Sequence, residues 1–132
     1  MLKLSNELAT PATLNRKNLH AYRLKIKEFR YVLEMADDPG NQALIDKLGE
    51  VKDAIGEWHD WEELVTIARD VLDHKANCKV LREVKVITSR KYETALSLTN
   101  KMRQRLSSFF KRVKKSVSTG TRRPAEADCR YE

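Results

Sequence analysis

Apolar residues at Leu19, Tyr22, Ile26, Phe29, Leu33 and Ala36 alternate steps of three and four, the spacing that gathers side chains on one face of a helix. The pattern predicts a helix over 15–36, stopped by the turn-forming run Asp37-Asp38-Pro39-Gly40-Asn41. A second run, Leu44, Ile45, Leu48, Val51, Ile55 and Trp58, predicts a helix over 42–57, with Gly56 marking its end or a bend. Asp60 followed three residues later by Glu63 is an acidic variant of the capping box, so a third helix is expected from Trp61 to about residue 75, with Leu64, Ile67, Ala68, Val71 and Leu72 inward. A fourth helical pattern follows Asn77 and meets no Gly or Pro before Ser118. At 1.5 Å per residue it would be about 60 Å long, so it either breaks near Thr88-Ser89 or overhangs and packs on another subunit. Residues 1–14, with Thr10-Pro11 and a weak pattern, read as a lead-in arm, and residues 119–132, with Gly120 and Pro124, as a disordered tail. The expected fold is an all-α antiparallel four-helix bundle over 15–118 with a long C-terminal helix.

Composition agrees with one helical domain: 132 residues hold only four Gly and three Pro. No apolar run reaches about 18 residues and the N-terminus lacks the apolar stretch of a secretory signal, so a soluble, cytoplasmic protein without membrane insertion is expected. Cys78 and Cys129 stand apart from each other and from any metal-type cluster, and read as reduced bystanders. The formal net charge is +7, and its distribution along the chain says more than its size. Residues 16–31 carry six Lys/Arg against Glu28; residues 34–73 carry twelve Asp/Glu against Lys47, Lys52 and Arg69; residues 101–123 carry nine Lys/Arg and no acid. The first and last helical regions are basic and the middle is acidic.

On the first helix Arg16, His20, Arg23, Lys27 and Arg30 recur at steps of four, three, four and three, forming a stripe beside the apolar one. It spans about 21 Å with a cationic or protonatable head roughly every 5 Å, enough for a linear polyanion to lie along it. The same pattern also describes a solvated basic face.

Two motifs narrow the choice. The segment Leu19-His20-x-x-Arg23-x-Lys25-x-Lys27-x-x-Arg30-Tyr31, followed by Leu48-Gly49 and by Trp58-His59-Asp60, resembles the CHAD family, helical domains named for their histidines. The resemblance covers residues 15–107. It implies helical bundles built from two four-helix repeats, a central groove lined by basic residues, and non-catalytic binding of inorganic polyphosphate. Carried over, His20, Arg23, Lys27 and Arg30 match the basic positions of the opening helix, Arg16 and Lys17 extend them, and His59 and Asp60 match the turn after the second helix. In the last helix Lys85, Arg90, Lys91, Arg103 and Arg105 are candidates by charge. The chain is long enough for about one repeat, which leaves open a fragment, a half-domain or a homodimer that rebuilds the groove.

Other chemistries find less support. Trp58 and Trp61 sit among Glu57, Asp60, Glu62 and Glu63, a poor platform for nucleic-acid bases, and read as packing residues. His59 beside Asp60 has no nucleophile or phosphate-cradling loop with it, so no enzyme is expected. His74 and Cys78 would supply two metal ligands where zinc takes three or four, so neither metal nor cofactor is expected. The cluster of Lys111, Arg112, Lys114 and Lys115 beside Phe109, Phe110, Val113 and Val117 reads equally as an anion- or membrane-docking end and as a solvated helix end. The function expected is binding of polyphosphate in a groove between the first and last helices, in the cytoplasm, with association with polyphosphate granules as one setting; the alternatives are a structural or oligomerisation module and a nucleic-acid-binding accessory protein.

Overall fold

A computed structural model describes residues 2–72 and 78–119. Four α-helices, α1 (Leu2–Ala9), α2 (Leu19–Ala36), α3 (Gln42–Val71) and α4 (Lys79–Thr119), follow one another, with a 3-10 turn at Pro39–Asn41 and no strand among the described residues. The all-α helical bundle with a long C-terminal helix is therefore present, but its four helices are not the expected four.

The expected second and third helices are one. α3 runs 30 residues through Gly56 and through the Asp60/Glu63 pair, about 45 Å. Ile45, Leu48, Val51, Ile55, Trp58, Val65 and Ala68 are all buried along it, and that continuous inner face outweighs the cost of about 1 kcal/mol for a mid-helix glycine. Asp60 lies inside the helix and starts nothing. α4 is likewise unbroken over 41 residues. At the suspected break the buried Thr88 hydroxyl donates to the Val84 carbonyl at 2.7 Å, so its polar group is satisfied within the helix.

The lead-in arm is part of the folded body. α1 carries Leu8 into the core, Leu14 is buried behind it, and the Tyr22 hydroxyl donates to the Leu8 carbonyl at 2.8 Å. Burial pushes the Tyr22 phenol up to about 12. Arg103 of α4 clamps the connecting segment, donating to the carbonyls of Ala9 (2.8 Å), Ala12 (3.3 Å) and Pro11, with its guanidinium over the Tyr22 ring. Leu2, Leu4 and Leu8, at steps of two and four, gave this short helix little periodicity to read. The expected tail lies outside the described residues apart from Thr119, the last residue of α4.

α2 starts where the Asn15 side chain accepts from the backbone N–H groups of Lys17 and Asn18. It ends at Asp37, which takes the left-handed conformation (φ 49°) and donates its N–H to Glu34. Asp38 then caps the 3-10 turn by accepting from the Gly40 N–H at 2.9 Å. α2 and α3 form an antiparallel hairpin in which Arg30 lies by Gly49 and Arg23 by Gly56. α3 and α4 are also antiparallel, Glu57 meeting Lys91 and Trp61 meeting Thr88. α2 consequently runs parallel to α4, with Tyr22 against Arg103 and Phe29 against Phe109 and Phe110.

One core fills this three-helix body. Leu19, Ile26, Phe29 and Leu33 of α2, Leu48 and Ile55 of α3, and Ala95, Met102 and Leu106 of α4 belong to a single cluster. The N-terminal end of α2 lies against α3 near His59, so the far part of α3 packs on α4. There Leu64, Ile67 and Val71 of α3 and Val80 and Val86 of α4 are exposed.

Neighbouring substitutions in α3 have opposite signs. Leu48→Ala empties a fully buried site and costs about 2–5 kcal/mol. A Cβ added at Gly49 meets only ordinary contact with the Arg30 guanidinium, 3.6 Å at its nearest, so Gly49→Ala stabilises by about 0.5–1 kcal/mol through helix propensity. Urea unfolding of the two variants beside wild type checks both.

Candidate anion-binding seam

The expected basic stripe lies along the seam between α2 and α3. Its helical members, His20, Arg23, Lys27 and Arg30, each follow a core-facing residue of α2 by one position, so they lie on the flank that borders α3; Arg16 and Lys17, expected within the helix, lie in the turn before it. The two arginines lie against two glycines on α3, seven residues apart and hence on one face, and at Gly56 the missing side chain makes the room. The Arg23 side chain passes over Gly56, where a Cβ would come within 3.2 Å of its Nε, and that Nε donates to the Lys52 carbonyl at 3.2 Å. Arg30 lies over Gly49 with its Nε 3.3 Å from Glu34. Arg23 therefore commits its Nε to a hydrogen bond, Arg30 is held only by its ion pair, its buried Nε making no hydrogen bond among the described residues, and both keep Nη donors for a further partner. Lys27, between them on the stripe, is exposed and makes no ion pair among the described residues.

Beyond Arg23 the seam holds two histidines. The rings of His20 and His59 stack with centroids 4.0 Å apart and planes 22° apart. His59 Nε2 sits 3.3 Å from Glu63, while His20 Nδ1 is shielded and has no partner among the described residues. Arg16 closes this end, its guanidinium 4.9 Å from the Tyr92 ring centroid. A shallow cleft of about 290 Å³ opens between Arg16, His20, Trp58, His59, Glu62 and Glu63. Its acidic wall makes this end less attractive to an anion than the Arg23–Arg30 stretch.

His20 is held below its ordinary value of 6.5, first by burial and then by the charges of His59 and Arg23, with Glu63 acting in the opposite sense.

The structure thus brings together Arg16, His20, Arg23, Lys27 and Arg30, and adds His59. Lys52, which periodicity alone did not single out, joins them through its carbonyl. The α4 candidates are not gathered with them. Lys91 pairs with Glu57 at 2.6 Å, Arg103 is engaged with the 9–12 segment on the opposite flank of α2, and Lys85, Arg90 and Arg105 are exposed on α4. A groove between the first and last helices is not formed by these residues, because α2 turns its basic flank to α3. Of the motif expected at a turn, Trp58 is buried and meets Tyr92 at 5.5 Å between ring centroids. His59 and Asp60 sit within continuous helix, His59 in the seam and Asp60 exposed. Trp61 is half-buried, as a packing residue should be.

His74 lies outside the described residues, Cys78 is a half-buried free thiol, and no group of three metal-ligating side chains occurs among the described residues. No helix among them is long and apolar enough to cross a membrane. No protein-family model, curated protein or solved structure matches this chain.

The lowered His20 value has a defined consequence for stability. The unfolded chain takes up the imidazole proton more readily than the native one, so stability falls as pH drops below 6.5 towards the native His20 value. His20→Ala should flatten that part of the stability profile, measured by thermal melts between pH 5 and 8.

Proposed function

We propose that this chain binds inorganic polyphosphate, or a linear anion of similar charge density, along the α2–α3 seam and without catalysis. The observation that carries the reading is the row of Arg23, Lys27 and Arg30, in which two guanidiniums lie side-on over glycines one heptad apart with a free lysine between them. Arginine edges give bidentate hydrogen bonds to phosphate oxygens, and lysine adds a compact charge. The spacing of about 10 Å between the two arginines suits a chain of repeated phosphates rather than a single one. Such a ligand releases counterions as it binds, so affinity falls steeply with salt. The resemblance of the opening helix and of Trp58-His59-Asp60 to the CHAD family points the same way.

A second reading, a structural or oligomerisation module, is favoured by one feature: Leu64, Ile67 and Val71 stand exposed at 41%, 57% and 76% on the part of α3 that α2 leaves uncovered. Nucleic-acid binding is less favoured, because Trp58 is core and offers no stacking face.

Labelled long-chain polyphosphate is titrated in competition with single-stranded DNA and heparin at two salt concentrations. Polyphosphate is expected to win, and Arg23→Gln/Lys27→Gln/Arg30→Gln, checked for native helicity, to weaken binding by roughly 10²-fold or more at low salt. Equal binding of all three polyanions, unmoved by the triple variant, would overturn the seam as a site. In the same complex an anion beside His20 favours its protonated form, so affinity should rise from pH 8 to pH 6 in wild type and stay flat in His20→Ala.

A further inference from the structure

The seam leaves most of the α4 cations unexplained. Four cations from two helices meet around the N-terminus of α3, past the Arg30 end of the seam. Lys101, Arg105 and Arg112 recur on α4 at steps of four and seven, which places them on one flank of that helix. Lys47 of α3 faces them across an open groove of about 680 Å³ whose floor includes Phe109. No carboxylate lines it among the described residues. Lys101, Arg105 and Arg112 are exposed, and none makes an ion pair or hydrogen bond among the described residues. Lys47 has Glu50 at 3.0 Å, and Glu50 stands outside the groove.

Three cations with no acid between them, converging with a fourth on one concave surface, repel one another. A bound multivalent anion relieves that repulsion. The wall of α3 adds to their field, because the groove includes the Pro39–Asn41 turn and the first turn of α3, where Asn41 makes no side-chain cap to the free N–H groups. From Lys101 to Arg112 the α4 wall rises about 16 Å, longer than one phosphate needs and suited to several phosphates in a row.

We infer that the groove between α3 and α4 formed by Lys47, Lys101, Arg105 and Arg112 is an oligophosphate-binding site separate from the α2–α3 seam. The ligand class is an anion with two or more linked phosphates, held by lysine and arginine side chains and by hydrogen-bond donors such as Ser108 on the same wall. The inference does not depend on the seam being a site, since no residue is shared.

The probe is inorganic tripolyphosphate titrated into the full chain, followed by amide NMR and calorimetry. Saturable shifts are expected at the amides of Ala43, Leu44, Gln104 and Ser108. Arg105→Gln/Arg112→Gln is expected to abolish those shifts and weaken the corresponding affinity roughly tenfold or more, with Lys101→Gln giving a smaller loss and Arg23→Gln/Lys27→Gln leaving the shifts in place. Displacement of tripolyphosphate by equimolar ATP would identify a nucleotide as the phosphate bearer; resistance to it would identify the inorganic chain, and either supports the site. Shifts confined to residues 16–30 and 49–59 and lost only in the Arg23/Lys27 variant would overturn the groove while leaving the seam reading intact. No saturable shift anywhere would overturn both.

Discussion

The antiparallel pairing of α3 with α4 is the contact on which the other elements are laid down. The two longest helices bury Leu48, Val51, Ile55, Trp58, Val65 and Ala68 on one side against Thr88, Ala95, Thr99, Met102 and Leu106 on the other, or in the core they share with α2. At about 1.5–3 kcal/mol for each large apolar side chain removed from water, this continuous face holds α3 straight through residues that locally favour a stop. α2 then lies in the groove between the pair, and α1 against α2 and α4. The position of every cation discussed above follows from which of these seams its helix face borders.

The α2–α3 seam shows how an electrostatic surface can be set by the absence of side chains. At Gly56 a Cβ would crowd the Arg23 guanidinium, so the missing side chain lets that arginine cross the α3 backbone instead of standing away from it. Anchored through Nε to the Lys52 carbonyl, that guanidinium presents its remaining donors in a fixed direction. The neighbouring histidine pair is the opposite case, two protonatable rings so close that charging one disfavours charging the other.

Much of the fold was legible in the sequence, and the parts that were not share a cause. α2 was readable to its last residue because one amphipathic face and the Asp37–Asn41 run carry that information locally, while its start lies four residues later than expected, after the turn that Asn15 caps. Gly56 and the Asp60/Glu63 pair were real local signals that tertiary packing overrode, so two expected helices were one. α1 escaped because Leu2, Leu4 and Leu8 set no helical period, and its place depends on Arg103, some ninety residues later. The basic stripe was visible as periodicity, yet its neighbour was not: nothing in the spacing of Arg23 and Arg30 says that they cross α3 rather than face α4. The heptad between Gly49 and Gly56 was the one sequence signal that matched the heptad between Arg23 and Arg30. The groove around Lys47 joins residues more than fifty positions apart, and only the α3–α4 register brings them together.

The end of α2 near His59 has one more consequence. Up to that point the body is three helices thick, and beyond it α3 and α4 continue as a pair with apolar residues on the outside. Opening that pair exposes little additional core and breaks few long-range contacts, so its free energy lies well below that of the whole domain. The molecule is therefore graded along its length, with amides around Leu48 and Met102 exchanging with solvent only on global unfolding and those around Ile67 and Val86 exchanging through local opening. The α2–α3 seam between Arg23 and Arg30 and the groove around Lys47 both lie on the three-helix part.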